Sequence, residues 1–335
     1  MYAKTTDLSG LKTVYLGGGT PTALSVVQLD RLFDYLKTII DFTMLIEVSI
    51  EANPDSLTED SGKIESLLRN GVTRVSLGVQ TFNAGHLQIL ERTHSQEDVE
   101  KLVFQLAQAG FEVNVDMIYS IPTQALKDWE QDLETLLKLP ITHVSAYSLI
   151  LEPNTKFHIQ YEKDQLELVD NGIEAQMFEL AISKLTQAGF DHYEISNYTK
   201  TKRSTHNETY WKNEDYLAVG LGSHGKVAGT RYENTRSINA YKRALAKGEL
   251  PILSQKTLTQ EEHIEESMFL GLRMLEGVDL EQLSTYYQRD ILGLYKGKIA
   301  ELEKMGYLNM ENQVIRLTKK GVLMANDVFE AFLLD

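Results

Sequence analysis

The sequence predicts an α/β protein in which helices cover a parallel sheet, followed by a smaller helical domain. Three observations carry this. Short β-type runs alternate with amphipathic stretches over residues 13–150, polar residues gather at the carboxyl ends of those runs, and the alternation stops after Pro153. Strand–helix alternation implies parallel strands joined by crossover helices, either doubly wound or closed toward a barrel.

The β-type runs are TVYLG at 13–17, LIEVSIEA at 45–52, RVSLGVQ at 74–80, EVNVDMIYS at 112–120 and HVSAYSLI at 143–150. Between the first two, Leu29, Leu32, Phe33, Leu36, Ile39 and Ile40 recur at helical spacing, and Ser25 with Gln28 suits a capping box. Amphipathic patterns at 58–70, 95–109 and 126–138 supply further crossovers. Residues 170–188 read as a helix and HYEISNYT at 192–199 as a strand, before a Gly- and His-rich stretch at 206–229. From about residue 260 the pattern is helical, with a hairpin-like LNMENQVIRLT at 308–318 and a final helix, which suggests a winged-helix-like domain. The domain boundaries expected from this pass are 1–155, 156–250 and 251–335.

The formal charge is −15, from 48 acidic and 33 basic residues, which argues against broad capture of nucleic acid or anionic membrane. In residues 251–335 there are 9 basic and 14 acidic side chains, so the winged-helix-like part reads as a packing or partner-binding domain. No apolar run approaches the ~20 residues that span a bilayer, and the N-terminus has no apolar stretch of signal-peptide type. Cytoplasmic residence is the expectation. Cysteine is absent, which removes thiolate nucleophiles and cysteine-held zinc or iron–sulfur clusters from this chain.

In parallel α/β sheets ligands bind beyond the carboxyl ends of the strands. Gly18, Gly19 and Thr20 follow the first run, Glu51 and Asn53 end the second, Gln80 ends the third, Asp116 lies in the fourth and Tyr147 in the fifth. GGGTPT at 17–22 has neither the Lys-Ser/Thr of a P-loop nor the G-x-G-x-x-G spacing. It suits a ligand cradle or a plain tight turn. Arg92 suits a ligand carboxylate or a surface ion pair. A carboxylate within an apolar strand is costly without a partner, so Asp116 suits a ligand hydroxyl or a structural hydrogen bond, and Glu51 and Gln80 share that ambiguity. HNETYW at 206–211 places His206, Asn207, Tyr210 and Trp211 together. A neutral imidazole can ligate haem iron while aromatic rings pack on a porphyrin; a satisfied structural histidine is the plainer alternative. GLGSHG at 220–225 offers His224 with the same two readings, and His86 and His94 show no metal-ligand spacing.

Taken together, GGGTPT, EANPDSLT, SLGVQTFN, ERTH, VDMIYSIP, SAYSLILEP, YEISNY, HNETYW and GLGSHG resemble, in order, the HemW-type haem chaperones. These belong to the oxygen-independent coproporphyrinogen III oxidase-like group of the radical S-adenosylmethionine (SAM) superfamily. The resemblance implies a partial TIM-type (β/α)6 barrel, here lacking its first strand and leaving a sheet edge beside TVYLG, with a smaller winged-helix-like C-terminal domain. It also implies SAM bound by Gly18, Gly19, Thr20, Glu51, Gln80, Arg92 and Asp116, with Tyr147 and Ile150 on the adenine side. Haem or porphyrin would be a ligand, and apo-haemoproteins would be the haem acceptors.

The departure is the family's C-x-x-x-C-x-x-C segment, which holds a four-iron–four-sulfur cluster; this chain has no cysteine to hold one. An N-terminal truncation and a scaffold that has lost radical chemistry are the two explanations, and the retained SAM-side residues favour truncation. The resemblance implies a haem chaperone that binds haem and SAM without radical chemistry. The alternatives are oxidative decarboxylation of coproporphyrinogen III by a full-length form, and a scaffold with a degenerate pocket.

Overall fold

The computed structural model describes residues 6–60, 62–153 and 155–334. The chain folds as two units, one spanning Leu11–Arg203 and the other built on the chain from Ser204, so the division falls within the 156–250 segment. In the first unit the strands β1 (Thr13–Leu16), β2 (Glu47–Ala52), β3 (Arg74–Gln80), β4 (Glu112–Tyr119) and β5 (His143–Ser148) lie side by side in chain order, each parallel to the next. The crossovers are α1 (Val26–Lys37), α2 (Pro54–Thr58) with α3 (Gly62–Arg69), α4 (Ala84–Ile89) with α5 (Gln96–Gln108), and α6 (Leu126–Leu136). After β5 come α7 (Lys156–Glu162), α8 (Asn171–Gln187), β6 (Asp191–Glu194) and β7 (Asn197–Thr199).

The sheet order is β1-β2-β3-β4-β5-β7-β6, an open sheet with β1 at one edge. HYEISNYT is not one strand but a hairpin. Ile195 and Ser196 reverse the chain, the Glu194 carboxylate accepts the Ser196 N–H at 3.0 Å, and β7 pairs antiparallel with both β5 and β6. Period-2 patterning is the same on either side of a two-residue turn, so alternation alone did not reveal the reversal.

Local chemistry sets the element ends. At α1 the Ser25 hydroxyl accepts the Gln28 N–H at 3.3 Å and the Gln28 side chain accepts the Ser25 N–H at 2.9 Å. Such a cap is worth about 1 kcal/mol. The buried face of α1 carries Leu29 and Phe33. The matching apolar face of the sheet carries Val48, Ile50, Val75, Leu77, Val113, Val115, Val144 and Ala146, all nearly or fully buried. Removing each large apolar side chain from water contributes about 1.5–3 kcal/mol.

The other sheet face differs. Glu51 lies beside Ser76, which lies beside Asn114, and Gly78 lies beside Asp116, which lies beside Ser145. Parallel strands covered on both sides are apolar along their whole length. Here they alternate, so a polar surface runs across the sheet opposite the helices.

The second unit opens with α9 (Thr205–Trp211). It continues with β8 (His224–Val227), β9 (Thr230–Asn234), α10 (Ile238–Lys247) and β10 (Ile252–Thr257), the strands forming an antiparallel sheet in the order β10-β9-β8. Next come α11 (Gln260–Gly271), β11 (Val278–Asp279), α12 (Leu280–Tyr287), α13 (Ile291–Lys304), β12 (Leu308–Glu311) and β13 (Val314–Leu317). Three helices with a β11-β13-β12 sheet make the winged-helix-like arrangement the sequence predicts. Asn312 and Gln313 turn the wing at φ 50° and 62°, the left-handed pair that suits a two-residue hairpin. The expected single final helix is two, α14 (Lys319–Leu323) and α15 (Ala325–Glu330), because Met324 leaves helical geometry at φ −111° and ψ 28°. Among the described residues no helix is long and apolar enough to cross a membrane.

Candidate functional site

The polar face of the first unit ends in three hydrogen-bonded groups at the carboxyl ends of the strands. In the first, the Glu51 carboxylate accepts the Gly18 N–H at 3.0 Å and also the Tyr15 hydroxyl. Gly18 has φ +80°, a conformation that favours glycine. A Cβ on Gly17 would fall 2.7 Å from Glu51 Oε1, whereas one on Gly18 or Gly19 would meet nothing within 4 Å. The glycine stretch is thus packed at its base and open at its rim. In the second group, Asn53 donates to the Thr20 hydroxyl at 3.0 Å and accepts from Arg92 at 2.9 Å. In the third, the Tyr147 hydroxyl donates to the Gln80 side-chain oxygen at 3.4 Å. Gly78 lies where the last two groups approach: a Cβ there would stand 2.9 Å from Gln80 Nε2 and 3.2 Å from Asn53 Oδ1. Gln80 itself has φ 69°, at an irregularity in the β3–β4 pairing.

Asp116 sits deeper on the same face. Its carboxylate accepts the Ser76 hydroxyl at 2.9 Å and Asn114 Nδ2 at 2.7 Å. The surrounding protein desolvates it and pushes its pKa up despite hydrogen bonds from Ser145, Ser76 and Asn114, with the nearby Glu51 charge adding to the rise. Behind it the His143 imidazole contacts Asn114 Oδ1 at 2.7 Å and the Tyr193 hydroxyl at 2.9 Å. Burial, and secondarily the Arg74 charge, hold its pKa well below the ordinary histidine value. Tyr147 is likewise raised, chiefly by burial. Ile150 lies past the end of β5 with 68% of its surface exposed.

Glu51, Gln80, Asp116 and Tyr147 lie on the strands themselves, whereas Gly18, Thr20 and Asn53 follow strand ends and Arg92 comes from the loop between α4 and α5. Of the residues sequence reasoning named, Gly18 and Glu51 share a group with Tyr15, Thr20 and Arg92 share one with Asn53, Gln80 pairs with Tyr147, and Asp116 is held by Ser76 and Asn114. The signal for the linkers was present: Ser76 and Asn114 are polar positions inside apolar runs, and a glycine inside a strand marks a close approach.

The second unit holds the remaining candidates. On α9 the His206 Nε2 and the Tyr210 hydroxyl are 2.7 Å apart, and Tyr210 packs edge-on against Tyr216 with ring centroids 4.7 Å apart. Asn207 donates its backbone N–H to the capping Ser204 hydroxyl at 3.4 Å. Trp211 lies under the Arg273 guanidinium, 4.3 Å from the ring centroid. His224 stands apart from this set, exposed at the start of β8 and 3.8 Å from Glu233. Among the other histidines, His94 is buried with Nε2 3.1 Å from the Val79 carbonyl, and His86 is buried on α4, both in structural settings.

The radical SAM superfamily profile matches residues 2–136, and the HemN C-terminal domain profile matches residues 258–324. The chain is 39% identical to the heme chaperone HemW of Bacillus subtilis over 326 residues, covering 96% of this chain and 86% of that protein. It is 38% identical to the Lactococcus lactis heme chaperone HemW over 331 residues, covering 98% and 86%. Among solved structures, the radical SAM enzyme coproporphyrinogen III oxidase HemN of Escherichia coli superposes with a TM-score of 0.83 at 19% identity, covering 96% of this chain and 78% of that one, a likeness of fold. By these matches the chain belongs to the HemW family of the radical SAM superfamily.

Proposed function

We propose that the chain is a haem chaperone that binds haem through its second unit and SAM on the polar face of its first. The observation that carries the SAM half is the convergence of Gly18, Glu51, Asn53, Arg92, Gln80 and Tyr147 in hydrogen-bonded groups at one end of a parallel sheet. The residues fit the cofactor. Open backbone at Gly18 and Gly19 suits an amino-acid zwitterion, Thr20 and Arg92 suit its carboxylate, Glu51 its ammonium group, and Asp116 the ribose hydroxyls. Gln80, Tyr147 and Ile150 border the place for the adenine. Bound there, SAM would supply a sulfonium centre. The chain's own part is to orient it, with Asn53 holding Arg92 in place and Asn114 with Ser76 holding Asp116.

The residues do not fit a cysteine-held four-iron–four-sulfur cluster. There is no cysteine, and among the described residues no group of three or more His, Asp or Glu side chains could hold a metal ion. No radical step is therefore derived for this chain, and oxidative decarboxylation is not proposed for it. The haem half draws on the HemW relatives and on His206, Asn207, Tyr210, Trp211 and His224. Delivery to apo-haemoproteins in the cytoplasm follows from the same reading. Isothermal titration with SAM and a Soret titration with ferric haem test it. Saturable binding of both is expected, with weaker haem binding by His206→Ala. Failure of both ligands to bind would leave only the degenerate-scaffold alternative.

A further inference from the structure

A chain of buried polar groups runs across the first-unit sheet to Asp116, and its far end lies beyond the residues given to SAM above. Tyr193 stands on β6, which pairs with β7 and not with β5. Its hydroxyl nevertheless reaches Nε2 of His143 on β5 at 2.9 Å, and the two rings meet edge-on with centroids 5.7 Å apart. His143 Nδ1 is 2.7 Å from Asn114 Oδ1, and Asn114 Nδ2 is 2.7 Å from Asp116 Oδ1. Tyr193, His143 and Asn114 are each 5% exposed or less, so bulk water does not compete for these bonds.

The partners fix where the protons lie. An ionised Asp116 only accepts, so the Asn114 amide turns Nδ2 toward it and leaves its carbonyl oxygen facing His143. The same nitrogen donates to the Ser76 hydroxyl at 2.6 Å, and Ser76 donates onward to Asp116 Oδ2 at 2.9 Å. A carbonyl oxygen also only accepts, so His143 carries its proton on Nδ1. Burial and the Arg74 charge keep the ring neutral, which leaves the Nε2 lone pair to accept the Tyr193 hydroxyl. Every donor from Tyr193 onward points toward Asp116.

We propose that His143, backed by Tyr193, is a positioning residue that fixes Asp116 as the acceptor for a ribose hydroxyl of SAM. The proposal deepens the SAM reading above and rests on it. Asp116 is half-buried, and donors from Ser76, Asn114 and Ser145 leave about one of its roughly four acceptor positions for a ligand. It lies near enough to the other site groups that the Glu51 charge acts on Asp116 and the Asp116 charge on Tyr147. Without His143 the Asn114 oxygen loses its closest donor, since the Ser145 hydroxyl stands at 3.3 Å. The amide is then free to turn its oxygen toward Asp116, where two acceptors repel. Asp116 would lose a donor, take up a proton more readily and cease to accept from the ribose.

The test is calorimetric titration of the full chain with SAM and with the SAM analogue whose ribose lacks both hydroxyl groups. Thermal melts confirm that each variant folds. The unaltered chain is expected to prefer SAM by roughly tenfold, the worth of one hydrogen bond to a charged group. His143→Phe is expected to weaken SAM by about that factor and to leave the analogue unchanged, which erases the preference. His143→Asn, whose side-chain amide can donate from the place of Nδ1, is expected to restore it. Tyr193→Phe removes a single oxygen and is expected to narrow the preference in the same direction, and it decides the matter where His143→Phe does not fold. Equal weakening of both ligands would mark a purely structural role and overturn the proposal. So would an undiminished preference in the variants, or no preference in the unaltered chain, each leaving the SAM reading standing. No SAM binding by the unaltered chain overturns both.

Discussion

Asp132 on α6 is 2% exposed, and its carboxylate accepts the Thr81 hydroxyl at 2.7 Å and the Phe82 N–H at 2.8 Å. Burial outweighs these bonds and, with the Asp128 charge, raises its pKa to about 6. A carboxyl group whose folded pKa lies above its unfolded value binds its proton more tightly in the native state. Stability from this group is present below about pH 4 and is lost as pH rises toward 6. Asp132→Asn removes the titration. The stability of the unaltered chain minus that of the variant should therefore fall by on the order of 2 kcal/mol between pH 4 and 7. Urea denaturation at several pH values measures it, and a difference that stays constant across that range would refute the account. Asp116 was visible in the sequence because it interrupts an apolar strand. Asp132 was not, because one acid in an amphipathic helix reads as part of its solvated face.

At the scale of elements, the five parallel strands and the α1 cap were legible, because period-2 runs, helical spacing and a Ser-x-x-Gln box are local signals. The β6–β7 hairpin and the break at Met324 were not, because each depends on what the chain packs against. Gly78 in β3 joins the two levels. A side chain there meets the ends of Gln80 and Asn53, which can shift, while the Ala52 carbonyl at 3.8 Å is an ordinary contact. Gly78→Ala should therefore leave stability within about 1 kcal/mol of the unaltered chain. It should also weaken SAM binding by roughly tenfold, because Asn53 positions Arg92. Calorimetric titration beside a denaturant melt separates the two effects. Unaltered SAM affinity in a folded variant would remove the Asn53–Arg92 and Gln80 groups from the site.

For the whole molecule, the winged-helix-like arrangement was legible from helical periodicity followed by a hairpin. The β8–β9–β10 sheet was not, since the Gly- and His-rich stretch carries no period and its turn depends on Ala228 and Gly229 at positive φ. Winged-helix-like domains can bind DNA, and the charge of this one argues against it. Residues 251–335 carry 14 acidic and 9 basic side chains, a net of −5, within a chain of net charge −15. Non-specific DNA affinity comes from basic side chains displacing counterions at phosphates. An acidic domain in an acidic chain pays Coulomb repulsion instead, and low salt enlarges that repulsion. Fluorescence anisotropy with a labelled random-sequence duplex at low salt should show no saturable binding below about 100 μM protein. Saturable binding that weakens steeply as salt is added would reveal a local basic surface strong enough to override the net charge, and the winged-helix-like domain would then be a nucleic-acid interface.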